Sequence, residues 1–176
     1  MKKALIVLTV LLSLFAGVAT AATNSGTAVI PFYHASIDPD GNVYQTNISL
    51  SNITDKNINV EVILYKKDGT ILTDTDNNPY GGTIRGFDLL NYYDNFSDKT
   101  LSFTLGPNSS GRFDIYNLEP IEISGIYGYG IIKWTQDSTA VNGLVASGIG
   151  YYQINDNIVS LGYSQLAIPI NDGLPF

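Results

Sequence analysis

The chain has no cysteine, and 176 residues carry only one histidine, one tryptophan and one methionine. Without thiols there are no disulfides, no thiolate metal sites and no cysteine nucleophile. The single imidazole, His34, would have to serve alone in a serine-type triad, and no Gly-x-Ser-x-Gly elbow accompanies it. Zinc needs three or four imidazole or thiolate ligands, which the chain cannot supply. Glu119 and Glu122 lie three apart, which puts them on opposite faces of an extended strand and out of paired-carboxylate geometry. These absences favour a protein that is not an enzyme.

Basic residues are also scarce, nine against sixteen acidic. Nucleic acid, whose phosphates demand a basic footprint, is an unsuitable partner, and so is an anionic membrane surface. Long hydrophobic runs are confined to one place. Lys2 and Lys3 precede the apolar stretch Ala4 to Phe15, broken only by Thr9 and Ser13, and Ala19-Thr20-Ala21 supplies small residues for a signal peptidase. The pattern predicts a signal peptide over residues 1–21, cleaved before Ala22. An uncleaved anchor fits less well, because the run is short for the roughly 20 residues of a span. Removing 21 of 176 residues leaves 155, the length of one domain. Loss of Lys2 and Lys3 leaves seven basic against sixteen acidic residues, a formal charge of −9. Such a chain is expected in the periplasm or outside a bacterial cell, with no membrane span after cleavage, its charge serving solubility.

What is present is period-two alternation. Tyr44, Thr46, Ile48 and Leu50 alternate with Gln45, Asn47 and Ser49, and Ile58, Val60, Val62 and Leu64 alternate with Asn59, Glu61 and Ile63. One face enters a core and the other meets water. Ser51 to Asn57 reads as a hairpin connection between them, and Asp68-Gly69 as a tight turn. Leu101, Phe103 and Leu105 lead into the turn "GPNSSG" at 106–111, followed by Phe113 and Ile115. Glu119–Ile123, Tyr127–Thr135, Leu144–Tyr152, Ile158–Tyr163 and Leu166–Ile170 complete eight to ten short strands. The expected fold is all-β, one antiparallel β-sandwich over residues 22–176, Ig-like or jelly-roll-like. Thr73 to Lys99 interrupts the rhythm, an insertion too long for a hairpin loop, in which "FDLLNYYDNF" suits a helical turn or two.

The segments "NISLSNITDKNINVEVILYKKDG", "LSFTLGPNSSGRFDI" and "GYGIIKW" together resemble the layout of small secreted bacterial Ig-like sandwich modules. The order of strands and turns is similar to that of the sensory-rhodopsin transducer sandwich. The likeness spans roughly 90 residues in strand and turn spacing. It implies the fold, and no signalling role.

Three features are candidates for binding. Asp74, Asp76 and Asn78 in "DTDNN", and Asp38, Asp40 and Asn42 in "DPDGN", place hard oxygen ligands at alternate positions, as a calcium loop does. Pro79 stands where such a loop needs glycine, and Asp and Asn also crowd turns by bonding their own backbone. Calcium is thus the one cofactor considered. Twelve tyrosines are the second feature. Tyr80, Tyr92 and Tyr93 fall in the insertion and are candidates to contact a ligand. In "YGYGIIKW", Tyr127, Tyr129, Ile131 and Lys133 share one face, while Gly128, Gly130, Ile132 and Trp134 share the other. Trp134 is a further ligand candidate, although a core position suits it better. The third is Thr27, Val29 and Ile30, a β-prone run behind a polar lead. It serves either as the domain's own first strand or as a strand added to a neighbour's open edge. Asn-x-Ser/Thr triplets begin at Asn47, Asn52, Asn95 and Asn108, the last two in expected loops.

Two functions follow from these features. The first is a secreted, non-enzymatic sandwich with a structural or interaction role at the cell surface or in an extracellular assembly. Its partners would be other protein subunits, including copies of itself as a homo-oligomer. The second is a carbohydrate-binding module for surface polysaccharide, aided by calcium and using the insertion's tyrosines.

Overall fold

The computed structural model describes residues 23–72, 83–95, 100–116, 125–137, 142–156 and 159–176, with the side chains of all of these except 94–95, 155–156 and 159–164. The calcium candidates Asp74, Asp76 and Asn78, the ligand candidate Tyr80, and the Glu119–Ile123 segment lie outside the described residues. Among the described residues there are eleven strands: β1 (Thr23–Ile37), β2 (Val43–Asn52), β3 (Ile58–Lys66), β4 (Ile71–Leu72), β5 (Ile84–Phe87), β6 (Leu90–Asn95), β7 (Thr100–Leu105), β8 (Ser110–Ile115), β9 (Ile126–Asp137), β10 (Leu144–Asp156) and β11 (Val159–Pro169). One 3-10 turn, Asn171–Gly173, follows, and there is no α-helix among the described residues. The protein is all-β.

Every described pairing is antiparallel. One hydrogen-bonded set runs β6–β7–β3–β9–β1, with β4 sharing the β7 edge of β3. The other runs β5–β8–β2–β10–β11. β1 joins them: it pairs with β9 from Thr23 to Ala35, then with β2 at Ser36 and Ile37. The strands therefore form one continuous sheet that curls nearly into a barrel. A register shift between Ile30 and Tyr33 lets β1 bend, at the point where Pro31 has no N–H to give to the ladder.

The apolar alternation converges on a single core. Ile48 and Leu50 of β2, Ile58, Val60, Val62 and Leu64 of β3, Phe103 of β7, Phe113 and Ile115 of β8, and Ile132 and Trp134 of β9 are all buried in it. Gly128 has a steric role: a Cβ there would stand 1.7 Å from the Tyr65 carbonyl oxygen, so β3 and β9 approach this closely only with glycine.

Three sequence expectations need correction. β2 and β3 do not form a hairpin. Their alternating faces meet in the same core, but β2 pairs with β8 and β10, and β3 with β7 and β9, so residues 53–57 carry the chain from one set to the other. The turn between β7 and β8 makes the same kind of crossing in reverse. Residues 87–95 of "FDLLNYYDNF" are not helical: the start closes β5, and Leu90–Asn95 is β6. Asp88 and Asn91 take positive φ values of 58° and 52°, which helical geometry excludes, and Leu89 and Tyr92 pack against the core. The described part of the expected insertion thus supplies edge strands to both sets. The C-terminal segment expected as two strands is the single strand β11.

Asn52 ties the two crossings together. Its buried amide nitrogen donates to the carbonyls of Lys56 at 2.7 Å, Gly106 at 2.7 Å and Leu105 at 3.3 Å. Its Oδ1 accepts from the Thr54 backbone N–H at 2.9 Å and hydroxyl at 2.8 Å. From the other side, Gln136 Nε2 donates to Thr54 Oγ1 and to the Lys56 carbonyl. Burial and full engagement exclude the Asn52 side chain as a glycan acceptor, and Asn47 is buried as well. Asn108 is exposed in its turn, as expected of a loop residue.

Replacing Asn52 with Ala strands buried carbonyls at about 1–3 kcal/mol each. Urea denaturation of Asn52→Ala should show a loss of at least this size. Ser51→Ala, which removes only an exposed hydroxyl contact to Ser110, should stay within about 0.5 kcal/mol of the parent. Equal losses in the two variants would contradict the bracing role.

Candidate functional site

Where β1 parts from β2, the chain must satisfy backbone groups that have left the ladder. Thr46 does so: its hydroxyl accepts from the His34 N–H at 2.9 Å and donates to the His34 carbonyl at 2.9 Å. This clamp holds β1 over the end of β2 and leaves a cleft of about 190 Å³. Phe32 and His34 of β1, Tyr44 and Thr46 of β2, Gly150 and Tyr152 of β10, and Leu166 of β11 line it. Among the described residues no aspartate, glutamate, lysine or arginine lines it.

The rings form a continuous row. Tyr152 stacks on Tyr44 at 4.1 Å between centroids, and Tyr44 stacks on His34 at 4.9 Å. His34 meets Tyr127 edge-on at 6.4 Å, and Lys67 Nζ lies 5.0 Å from the centre of the Tyr127 ring. Register explains the row: Tyr44 is opposite Tyr152 across β2 and β10, and His34 is opposite Tyr127 across β1 and β9. Each aromatic pair adds about 0.5–1.5 kcal/mol beyond its buried area. Burial pushes the Tyr44 phenol up, with its hydrogen bond to Tyr152 adding to the effect, so the phenol stays protonated. Burial lowers the His34 imidazole from its ordinary 6.5, favouring the neutral ring.

A second surface continues from this row over the outward face of β1, β9 and β3. Val29, Ile131 and Ile63 stand in one cross-strand row, and Tyr129 stacks on Tyr65 at 4.9 Å in the next. Val29 is 53% exposed, and Phe32 and Tyr129 are each 43% exposed. Tyr33, between them in sequence, points inward. Its buried hydroxyl donates to the Tyr65 carbonyl at 3.1 Å, and burial raises its pKa. At one end of the face Lys133 stands opposite Glu61 and Thr27.

The structure separates the candidates read from sequence. Trp134 is 1% exposed and presents no ring face to a ligand, so it is a core residue and not a binding one. Tyr92 is half-buried over Gly86, and its hydroxyl donates to the Ile84 carbonyl at 3.0 Å. Tyr93 is exposed, but on β6 at the far edge of its strand set from β1. Tyr92 and Tyr93 therefore do not join the aromatic row. Thr27, Val29 and Ile30 pair with Lys133, Ile131 and Gly130 of the same chain, Ile30 facing the core and the other two outward. In "DPDGN", Asp38 Oδ1 accepts from the N–H groups of Asp40 at 3.0 Å and Asn42 at 2.9 Å, and Oδ2 from the Asn42 amide at 2.8 Å. The carboxylate closes its own turn, and these bonds hold its pKa below the usual value. Among the described residues no three acidic or histidine side chains converge on a metal position.

Sequence reading missed Phe32, Tyr44 and Tyr152 as partners of His34. The available signal was Tyr44 in alternation with Ile48 and Leu50, a tyrosine on a core-facing row.

No family model matches the chain, and no curated protein matches it. Among solved structures, the chain is similar to a Thermotoga maritima protein with a TM-score of 0.38 at 8% identity, over 81% of this chain and 90% of the other. A second is AvmM, described as catalysing macrocyclization in alchivemycin A biosynthesis, with a TM-score of 0.28 at 6% identity over 84% and 79%. A third is described as a pore-forming protein, with a TM-score of 0.25 at 11% identity over 84% and 85%. These scores lie below the level at which a shared fold can be argued, so function is argued from this chain's own geometry.

His34 gives the row a pH dependence. Its folded pKa is lowered, so the unfolded chain binds the proton more readily. The contribution to stability is complete above 6.5 and is lost as pH falls through the folded value. Asp38 and Asp68, lowered from 3.8, act in a separate, more acidic window. Thermal unfolding between pH 7 and 5 should show stability falling with pH, and His34→Phe, which keeps a ring in the stack, should flatten that slope.

Proposed function

We propose that this chain is an exported, non-enzymatic β-sandwich of two layers joined through β1, acting as an interaction module at the cell surface or in an extracellular assembly. Its partner is a second copy of the same chain. The observation that carries this reading is the contiguous outward face of Val29, Ile131, Ile63, Tyr129 and Tyr65. Isolated exposed apolar residues are ordinary on a protein surface, but a tyrosine-rich apolar patch across three adjacent strands has the composition of an interface core. Rigid tyrosines lose little conformational entropy on contact, and the Tyr65–Tyr129 stack already holds two of them.

The rim supports self-association. Lys133 and Glu61 stand side by side, so each can meet its opposite on a two-fold mate. Because Thr27, Val29 and Ile30 already fill β1 of their own chain, the contact runs through the face of the strand and requires no strand exchange.

Light scattering coupled to size exclusion should find a dimer or higher species of the purified protein at micromolar concentration. The double variant Val29→Glu, Tyr129→Glu places charge on two exposed positions. It should weaken self-association at least tenfold while lowering stability by little more than the roughly 0.5–1.5 kcal/mol of the lost Tyr65–Tyr129 stack. A parent protein that stays monomeric at every concentration tested rejects the reading.

A further inference from the structure

The geometry points to a ligand site separate from the association face: the cleft between β1 and the β2–β10–β11 strands binds a neutral saccharide, one ring at a time. Three features of the cleft specify this chemistry. The first is charge. The chain is acidic overall, yet among the described residues the lining contains aromatic rings, aliphatic groups, hydroxyls and glycine without an acidic or basic side chain beyond His34. A charged ligand entering here would find no counter-charge, whereas a neutral one needs none.

The second feature is the pairing of flat apolar rings with neutral hydrogen-bonding groups. A pyranose has C–H faces that lie against aromatic rings and hydroxyls that both donate and accept. Tyr44 is enclosed between His34 and Tyr152, so of the two tyrosines in this three-ring stack only Tyr152 has a ring face that the stack does not cover. The Tyr44 and Tyr152 hydroxyls supply donors and acceptors beside it, whereas Gln45, Tyr151 and Gln165 form a cross-strand row on the opposite face of the sheet.

The third is Gly150. A glycine inside a strand weakens it and usually marks a close backbone approach or a tight packing site. Here neither applies, because a Cβ at Gly150 would meet only Leu166, at 3.8 Å, an ordinary contact. Its neighbour Gly148, by contrast, is crowded by Ile48 and Ile168 at 2.9 and 3.0 Å. The fold requires glycine at 148 and does not at 150, where its effect is to keep the cleft open. At about 190 Å³ the cleft is smaller than the usual 300–1,000 Å³ of drug-sized sites, which fits one sugar ring.

The test is calorimetric titration of the purified protein with cellotetraose, chitotetraose and mannotetraose, and with tetragalacturonate as the charged counterpart. At least one neutral saccharide should bind with micromolar to millimolar affinity, and tetragalacturonate at least tenfold more weakly. Gly150→Leu fills the cleft and should reduce binding at least tenfold with an unfolding midpoint close to the parent's. Tyr152→Ala, which removes the ring on which the sugar would lie, should reduce it several-fold and keeps the test valid if Gly150→Leu folds poorly. No binding of any neutral saccharide overturns the inference, as does binding that Tyr152→Ala and a folded Gly150→Leu both leave intact, or an equal preference for tetragalacturonate. Val29 and Tyr129 do not line the cleft, so failure here and failure of the self-association reading are separate results.

Discussion

The buried amide of Asn52 is the interaction on which the architecture turns. Two of the chain's crossings between strand sets, at residues 53–57 and 106–109, meet at one corner, and crossings expose carbonyls that no ladder can satisfy. Asn52 answers three of them with one nitrogen, while its oxygen organises Thr54. Further backbone bonds complete the corner, from the Asn52 N–H to the Ser109 carbonyl and from the Asn108 N–H to the Thr54 carbonyl, each at 2.8 Å. A chain without disulfides has to hold its strand sets together by packing and by such polar locks. In a low-dielectric setting a satisfied network fixes one arrangement, and an unsatisfied one is costly.

At the opposite side of the molecule β1 does the complementary work. It belongs to both strand sets, and its bend at the Ile30–Tyr33 irregularity takes it from β9 to β2. A strand that changes partners cannot keep every backbone group in a ladder, and the Thr46 hydroxyl closes the gap at His34. The opening left by this transfer is the aromatic cleft. The cleft and the outward β1–β9–β3 face thus share one structural origin. Both follow from a long first strand whose outward side chains, Val29, Phe32 and His34, are apolar or aromatic.

That shared origin makes the two proposed activities compatible. Self-association would use Val29 and Tyr129 on the outer face, and saccharide binding would use Tyr152 and Gly150 within the cleft. Phe32 and His34 lie between the two surfaces, so a ligand in the cleft and a protein on the face would be neighbours.

Much of the strand content was legible in the sequence. The alternation of Ile58, Val60, Val62 and Leu64, the two faces of "YGYGIIKW" and the Asp68-Gly69 turn follow from local rules: period-two side chains and a glycine free to take φ of 81°. The core position of Trp134 follows from the same alternation. The run 46–64 illustrates where such reading stops. Its apolar residues are all internal, but whether two adjacent strands pair or cross depends on which distant strands compete for their edges, and β10 lies about 100 residues away.

The same division applies to the site. The sequence by itself determined an all-β chain with abundant tyrosine, a scarcity of catalytic groups and the identity of the turn-forming carboxylates such as Asp38. The tertiary structure alone decided that Tyr44, Tyr152, His34 and Tyr127 form one row, because cross-strand neighbours are set by register among β1, β2, β9 and β10. It also decided that Tyr92 serves packing over Gly86, and that the triplet beginning at Asn52 is a corner brace and not a glycan acceptor. A side chain's chemistry is local. Its neighbours and its exposure are products of the long-range pairing that buries the core.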